Sequence, residues 1–182
     1  MKTGSNVKYV LRLALTLLII TSVVAALLAA VNSVTKPIID QLNAEKTQKA
    51  IEAVLPGGGE SIDFTDDTGL VSVVYKGESG YAIQVAPVGF DGAITMMVGV
   101  DFEGNVLGIS VIDQSETAGL GAVCAAKTSA GEAFRGQFEG VSGTVAVSKD
   151  GGELDAITGA TITSRAVCRG VNAALACAAN LG

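Results

Sequence analysis

From Leu13 through Thr35 the chain carries no charged residue. That stretch is longer than the ~20 apolar residues a helix needs to cross the hydrocarbon core of a bilayer. A helix is also one of the few ways to satisfy backbone polar groups in lipid. A cleaved signal peptide is the competing reading. It predicts a shorter apolar run and a small-x-small cleavage site, and Ala29-Ala30-Val31-Asn32 is a poor one. A buried helix of a soluble protein predicts a polar face, and none is present. The sequence therefore predicts an uncleaved, single-pass anchor over residues 1–35, with the lipid bilayer as a partner. Lys2, Lys8 and Arg12 precede the span and favour a cytoplasmic N-terminus. Lys36, Lys46 and Lys49 follow it, but they begin a long soluble region, where the charge rule loses force. The expected location is the cell inner (cytoplasmic) membrane, with the C-terminal domain extracytoplasmic.

The chain's 182 residues leave room for one modest domain besides the anchor. A net charge of -6 argues against nucleic acid as a partner. Cys124, Cys168 and Cys177 form no C-x-x-C, and the chain contains no histidine, which leaves no haem-attachment or typical zinc motif. Cys168 and Cys177 fall on opposite faces of one expected helix, so they do not pair with each other. Small buried thiols are the expected role; a disulfide from Cys124 to either of them stays open.

Lys36 to Val54 reads as an amphipathic helix that starts near Pro37. It either continues the membrane span or packs on the domain. Pro56-Gly57-Gly58-Gly59 ends it as a flexible link. Short apolar runs follow at Leu70–Tyr75, Tyr81–Ala86, Ala93–Asp101 and Val106–Ile112, with Glu103-Gly104-Asn105 as a hairpin turn. Thr128–Phe138 reads as a short helix and turn, Val141–Val147 as a further strand, and Ser164 to about Asn180 as an alanine-rich helix. The predicted architecture is α+β: a single N-terminal transmembrane helix, then an antiparallel sheet with packed helices. The expected domains are the anchor (1–35), a linker helix and Gly-rich link (36–60), and the folded domain (61–182).

Just before the last helix stands Asp155-Ala-Ile-Thr158-Gly159-Ala160-Thr161. Threonines at a helix start usually cap it, and Thr163 or Ser164 fits that role. Capping accounts less well for the crowding of small and hydroxylated residues from Thr158 to Ser164. Gly159 and Ala160 leave the backbone around Thr161 bare. The unpaired N–H groups and partial positive charge of a helix start suit a phosphate. Elsewhere there is no nucleophile–base pair, dinucleotide fingerprint or metal-ligand cluster. Gly57–Gly59 is not followed by Lys-Ser/Thr, so it is no phosphate loop.

The run Thr158-Gly-Ala-Thr-Ile-Thr-Ser164 resembles the S/T-G-A-T signature of the FMN-binding domain family. That family includes the G subunit of the Rnf ion-translocating electron-transport complex and the C subunit of the sodium-pumping NADH:quinone reductase. In such proteins an ApbE-type flavin transferase attaches FMN, through its phosphate, to the last threonine of the motif. The recognised pattern is an acidic residue, two variable positions, Ser/Thr, Gly/Ser, Ala and Thr; Asp155 to Thr161 matches throughout. Glu116-Thr117-Ala118-Gly119-Leu120-Gly121 resembles the family's E-T-P-G-L-G loop, with alanine replacing proline and without the histidine often found upstream. Gly80-Tyr81, Gly89-Phe90-Asp91-Gly92 and Phe134–Phe138 fall at further landmarks, so the likeness runs from about Leu70 to the C-terminus.

The resemblance implies FMN bonded covalently to Thr161, with Thr158, Gly159 and Ala160 around it. Thr163 and Ser164 would bond the phosphate or merely cap the helix. Glu116 to Gly121 would lie against the flavin: Gly119 and Gly121 by close backbone approach, Leu120 by apolar contact, Thr117 by a hydrogen bond. Glu116 would be either a surface carboxylate or one that disfavours an anionic reduced ring. The implied function is that of an electron-carrying subunit rather than an independent catalyst. It would link ferredoxin and NAD redox chemistry to ion translocation alongside other membrane and iron–sulfur subunits. The alternative is a stand-alone FMN-carrying module serving another extracytoplasmic reductase or regulator.

Overall fold

The structure is a computed structural model and describes residues 3–181; Lys2, one of the three N-terminal cations, lies outside them. The chain divides into two units, one ending at Ala44 and the other beginning at Glu45. Helix α1 covers Thr3–Val54. Among the described residues it is the one helix long and apolar enough to cross a membrane. From Val10 to Leu42 its leucines, isoleucines and valines are exposed, among them Leu11, Leu18 and Leu28. Thr16, Thr21 and Ser33 donate their hydroxyls back to the carbonyls of Arg12, Leu17 and Ala30 at 2.9, 3.0 and 2.8 Å. Such back-bonding satisfies hydroxyls that would find no water in hydrocarbon. The expected helix start at Pro37 is corrected: α1 runs through this proline. A proline removes one backbone donor from a helix, a loss that transmembrane helices tolerate.

In the second unit five strands form one antiparallel sheet in sequential order: β1 Glu60–Ile62, β2 Val71–Lys76, β3 Gly80–Val85, β4 Thr95–Asp101 and β5 Val106–Asp113. Residues of β4 alternate between two apolar clusters. Met96, Val98 and Val100 point into the main core, and Met97 points the other way. In β3, Tyr81, Ile83 and Val85 join the main core while Ala82 joins Met97. Because both faces are covered, these two strands read as near-continuous apolar runs rather than alternating ones.

The smaller cluster is closed by the end of α1, through Ala50, Ile51, Val54 and the following Leu55. The larger one is closed by α3, Thr161–Leu181, which brings Ala166, Val167, Val171 and Ala174 onto the sheet. The short helix α2, Ser129–Gly136, adds Phe134 and is capped by Thr128, whose hydroxyl accepts from Gly131 N. Ile51 is almost fully buried. Ile51→Val removes one buried methyl group and should lower stability by about 1 kcal/mol. A thermal melt of the detergent-solubilised full chain checks this.

Three further features differ from the sequence reading. Strand β1 has no counterpart in it, because three residues give no readable period. The expected strand Val141–Val147 makes only isolated bridges, Asn105 to Ser142 and Val147 to Leu154. Its backbone is satisfied by a side chain instead, because the Asn172 amide on α3 accepts from Val145 N at 2.7 Å and donates to Val145 O at 2.8 Å. Helix α3 begins at Thr161, not Ser164. All three cysteines are free and buried. Burial pushes the Cys124 and Cys168 thiols up to about 11.

Candidate functional site

The loop after β5 and the start of α3 meet around one carboxylate. Glu116 is only 7% exposed. Its Oε1 accepts from the backbone N–H groups of Phe90 and Asp91 at 2.8 and 3.0 Å. Its Oε2 accepts from the Thr163 hydroxyl at 2.5 Å. Three segments distant in sequence are thereby joined at one side chain. Burial by itself would raise the Glu116 carboxyl, but the bonds from Thr163, Asp91 and Phe90 outweigh it and hold it below its ordinary value of 4.5. The alternative of a surface carboxylate is therefore corrected. A Cβ on Gly121 would collide with Glu116 Oε2 and Thr163 Oγ1, so glycine is what lets the loop lie across this pair.

The two motifs touch. Gly159 takes the left-handed conformation at φ 76°, and Leu120 Cδ2 lies 3.0 Å from the position its Cβ would occupy. Together they line a cavity of about 310 Å³, at the small end of the range for ligand sites. Glu116, Thr117, Leu120, Gly121, Gly159, Ala160, Thr161 and Thr163 border it, joined by Phe90, Lys149 and Ile162. A larger hollow of about 960 Å³, beside Phe102, Asn172 and Leu175, contains neither motif. Chemistry rather than size selects between them.

Three anticipated residues stand elsewhere. Gly119 and Thr158 line a neighbouring groove with Gln137 and Asp155. Gly119 has φ 77° and open space where a Cβ would be, a left-handed backbone that the turn requires. Ser164 is fully buried. Its hydroxyl accepts from Ile157 N at 2.9 Å and donates to Ala160 O at 3.0 Å, closing the loop before α3 from inside the helix. Thr163 likewise spends its hydroxyl on Glu116. Neither is the residue preceding the helix. That position belongs to Ala160, which offers no side-chain acceptor to the first-turn N–H groups.

Thr161 is the first residue of α3 and half-buried at the cavity wall. Its Oγ1 accepts from Lys149 Nζ at 3.2 Å. Lys149 is the one cation lining this cavity among the described residues. In the sequence Lys149 reads only as part of a turn, and no spacing rule marks it. Phe90 reads there only as a landmark, yet it stands 68% exposed at the cavity rim.

A hydroxyl, a cation and uncapped helix N–H groups suit a phosphate ester. The apolar side chains of Phe90, Leu120 and Ile162 suit a flat ring. The cavity holds no general base free to act, since both Glu116 oxygens are engaged. No cluster of three metal-binding side chains occurs among the described residues.

A profile of the FMN-binding domain matches residues 89–176, and one of the RnfG N-terminal region matches residues 1–54. The G subunit of the ion-translocating oxidoreductase complex of Methanosarcina acetivorans is 32% identical, over 94% of this chain and 95% of its own length. The protein of the same name from Cronobacter sakazakii is 37% identical, over 87% and 85%. The G subunit of the Na(+)-translocating ferredoxin:NAD(+) oxidoreductase complex of Acetobacterium woodii is 32% identical, over 96% and 94%.

Proposed function

This chain belongs to the family of G subunits of ion-translocating oxidoreductase complexes, and we propose that it carries electrons within such a complex through FMN bonded to Thr161. The observation that carries the reading is the meeting of two motifs, forty residues apart in sequence, at one cavity that contains the Thr161 hydroxyl. FMN supplies the electron-transfer chemistry, and the protein supplies its placement. Thr161 provides the ester oxygen. The N-terminal turn of α3 and Lys149 face the phosphate. Leu120, Ile162 and Phe90 offer apolar surface to the ring, and Glu116 holds the cavity walls in register without reaching outward itself.

The chain is membrane-anchored through the apolar part of α1, with residues 1–35 as the anchor, 36–60 as the link and 61–182 as the flavin domain. Lys8 and Arg12 favour a cytoplasmic N-terminus, with the domain on the opposite side. Its partners are the other membrane and iron–sulfur subunits of an Rnf-type complex and an ApbE-type transferase that installs the flavin. The match of relatives along nearly the whole chain, anchor included, favours a complex subunit over a stand-alone flavin module.

The test is co-expression of the full chain with the transferase. Intact mass should rise by one FMN, the protein should stay in the membrane after alkaline carbonate extraction, and mild-detergent purification should bring down the other subunits. A chain of unchanged mass would end the covalent-carrier reading. A flavin-loaded chain purified alone from a host containing the full complex would support the stand-alone module instead.

A further inference from the structure

We propose that Lys149 is the built-in counter-charge of the phosphate at Thr161, a positioning residue that promotes formation of the ester and then pairs with it. The inference rests on the reading of Thr161 as the flavin-bearing residue. Lys149 lies in a 3₁₀ turn, Ser148–Asp150, twelve residues before Thr161. A surface lysine usually wanders, but this turn is pinned. Asp150 accepts from Arg165 Nε at 2.7 Å and from Arg165 Nη2 at 2.6 Å, a two-pronged pair one turn along α3 from Thr161. On the other side Ser148 N donates to Leu154 O at 2.7 Å. A Cβ on Gly152 would collide with the Ala146 carbonyl, so the chain after the turn is packed close.

The pairing of Asp150 with Arg165 has a second effect. It withdraws the carboxylate nearest in sequence from Lys149. Among the described residues Lys149 forms no ion pair, and its ammonium is directed at the Thr161 oxygen. The neighbouring N–H groups of α3 add partial positive charge at the same point. An alcohol so placed meets a donor group of one chemical class, a flavin nucleotide carrying FMN in a pyrophosphate. The Thr161 Oγ1–phosphorus bond forms, and the phosphorus–oxygen bond to the departing nucleotide phosphate breaks. The threonine proton leaves to a base of the transferase, and nothing is oxidised or reduced. Negative charge gathers on Oγ1 and the phosphate oxygens during this step. A hydrogen bond donated by Lys149 to Oγ1 opposes that charge and leaves the hydroxyl proton free to depart. The finished diester keeps one negative charge, which Lys149 continues to balance.

The experiment measures the initial rate of covalent flavin loading of the full chain in detergent, with transferase and donor supplied. Wild type, Thr161→Ala, Lys149→Gln and Lys149→Arg are compared at low and high salt. Lys149 is exposed, so Lys149→Gln should melt within a few degrees of wild type. Its loading should be slower by on the order of tenfold, the scale of one charge-assisted hydrogen bond. Lys149→Arg should recover most of the rate, and salt should slow the wild type towards the glutamine variant. In the loaded protein, with transferase removed, the phosphorus-31 resonance should differ between wild type and Lys149→Gln. Equal loading by Lys149→Gln, failure of arginine to rescue, or an unmoved phosphorus resonance would overturn the role of Lys149 while leaving Thr161 as the attachment point. If wild type itself fails to load, the fault lies with the reading of Thr161.

Discussion

Thr161→Ala should abolish flavin fluorescence that survives denaturation, while Thr161→Ser retains part of it and Thr158→Ala impairs loading without removing the acceptor atom. The positions of the neighbouring hydroxyls explain why the expected loss is complete. Thr163 and Ser164 are 1% and 0% exposed, and both are committed to internal bonds. Thr158 faces a different groove, beside Asp155 and Gln137. Thr117 does border the cavity, but it lacks the helix start and the adjacent ammonium. Stability should barely change, by ~0.5 kcal/mol or less, because a half-exposed threonine at a helix start loses little beyond one surface hydrogen bond. Peptide mapping decides the matter. Flavin recovered on Thr117, Thr158 or Thr163, or persisting in the alanine variant, would move the attachment point.

Glu116→Ala should cost about 3 kcal/mol, because it strands two part-buried backbone N–H groups and the buried Thr163 hydroxyl. The thermal midpoint should drop, and flavin loading should fall with it as the Phe90 loop and the start of α3 lose their common anchor. Glu116→Gln fills the space but turns amide hydrogens towards donors, so it should lie between alanine and wild type. The pH dependence gives a sharper signature. The folded carboxyl sits below its ordinary value of 4.5, so the unfolded chain binds the proton more tightly. The contribution of Glu116 is therefore complete above the unfolded value and fades as pH falls through the lowered folded one. The stability gap between wild type and Glu116→Gln should be constant near neutrality and narrow below about 4.3. A gap independent of pH would mean that the charge on Glu116 does not hold the three segments together.

The anchor is legible in the sequence because a long run without charge has few structural solutions. The four longer strands are legible because their apolar runs are bounded by glycine or charge. The hydroxyl motif is legible by its likeness to a known signature, and its placement at a helix start follows from the alanine-rich segment behind it. Other features have no local signal. Val141–Val147 has a strand's composition, but Asn172 satisfies its backbone from α3, and no pattern within the segment itself announces that. The burial of Glu116 depends on donors more than twenty residues away on one side and forty-seven on the other. Lys149 owes its position to the Asp150–Arg165 pair, which only the folded chain brings together. Gly119 gains an expected role in ring contact from its neighbours in the motif, whereas its left-handed backbone explains it without one.

The alanine before α3 has a consequence for maturation. A serine or aspartate at position 160 would complete the helix by itself, and the same oxygen would compete with any incoming anion. Ala160 leaves the first turn chemically unfinished. If Thr161 carries the flavin as proposed, those amide hydrogens lack a side-chain partner before loading, and the start of α3 is where a modifying enzyme would meet the chain. Once the ester exists, its phosphate oxygens can take the place of the missing cap. On that proposal, attachment of the cofactor would complete the start of this helix, and a loaded subunit would differ from an unloaded one in local order as well as in redox capacity.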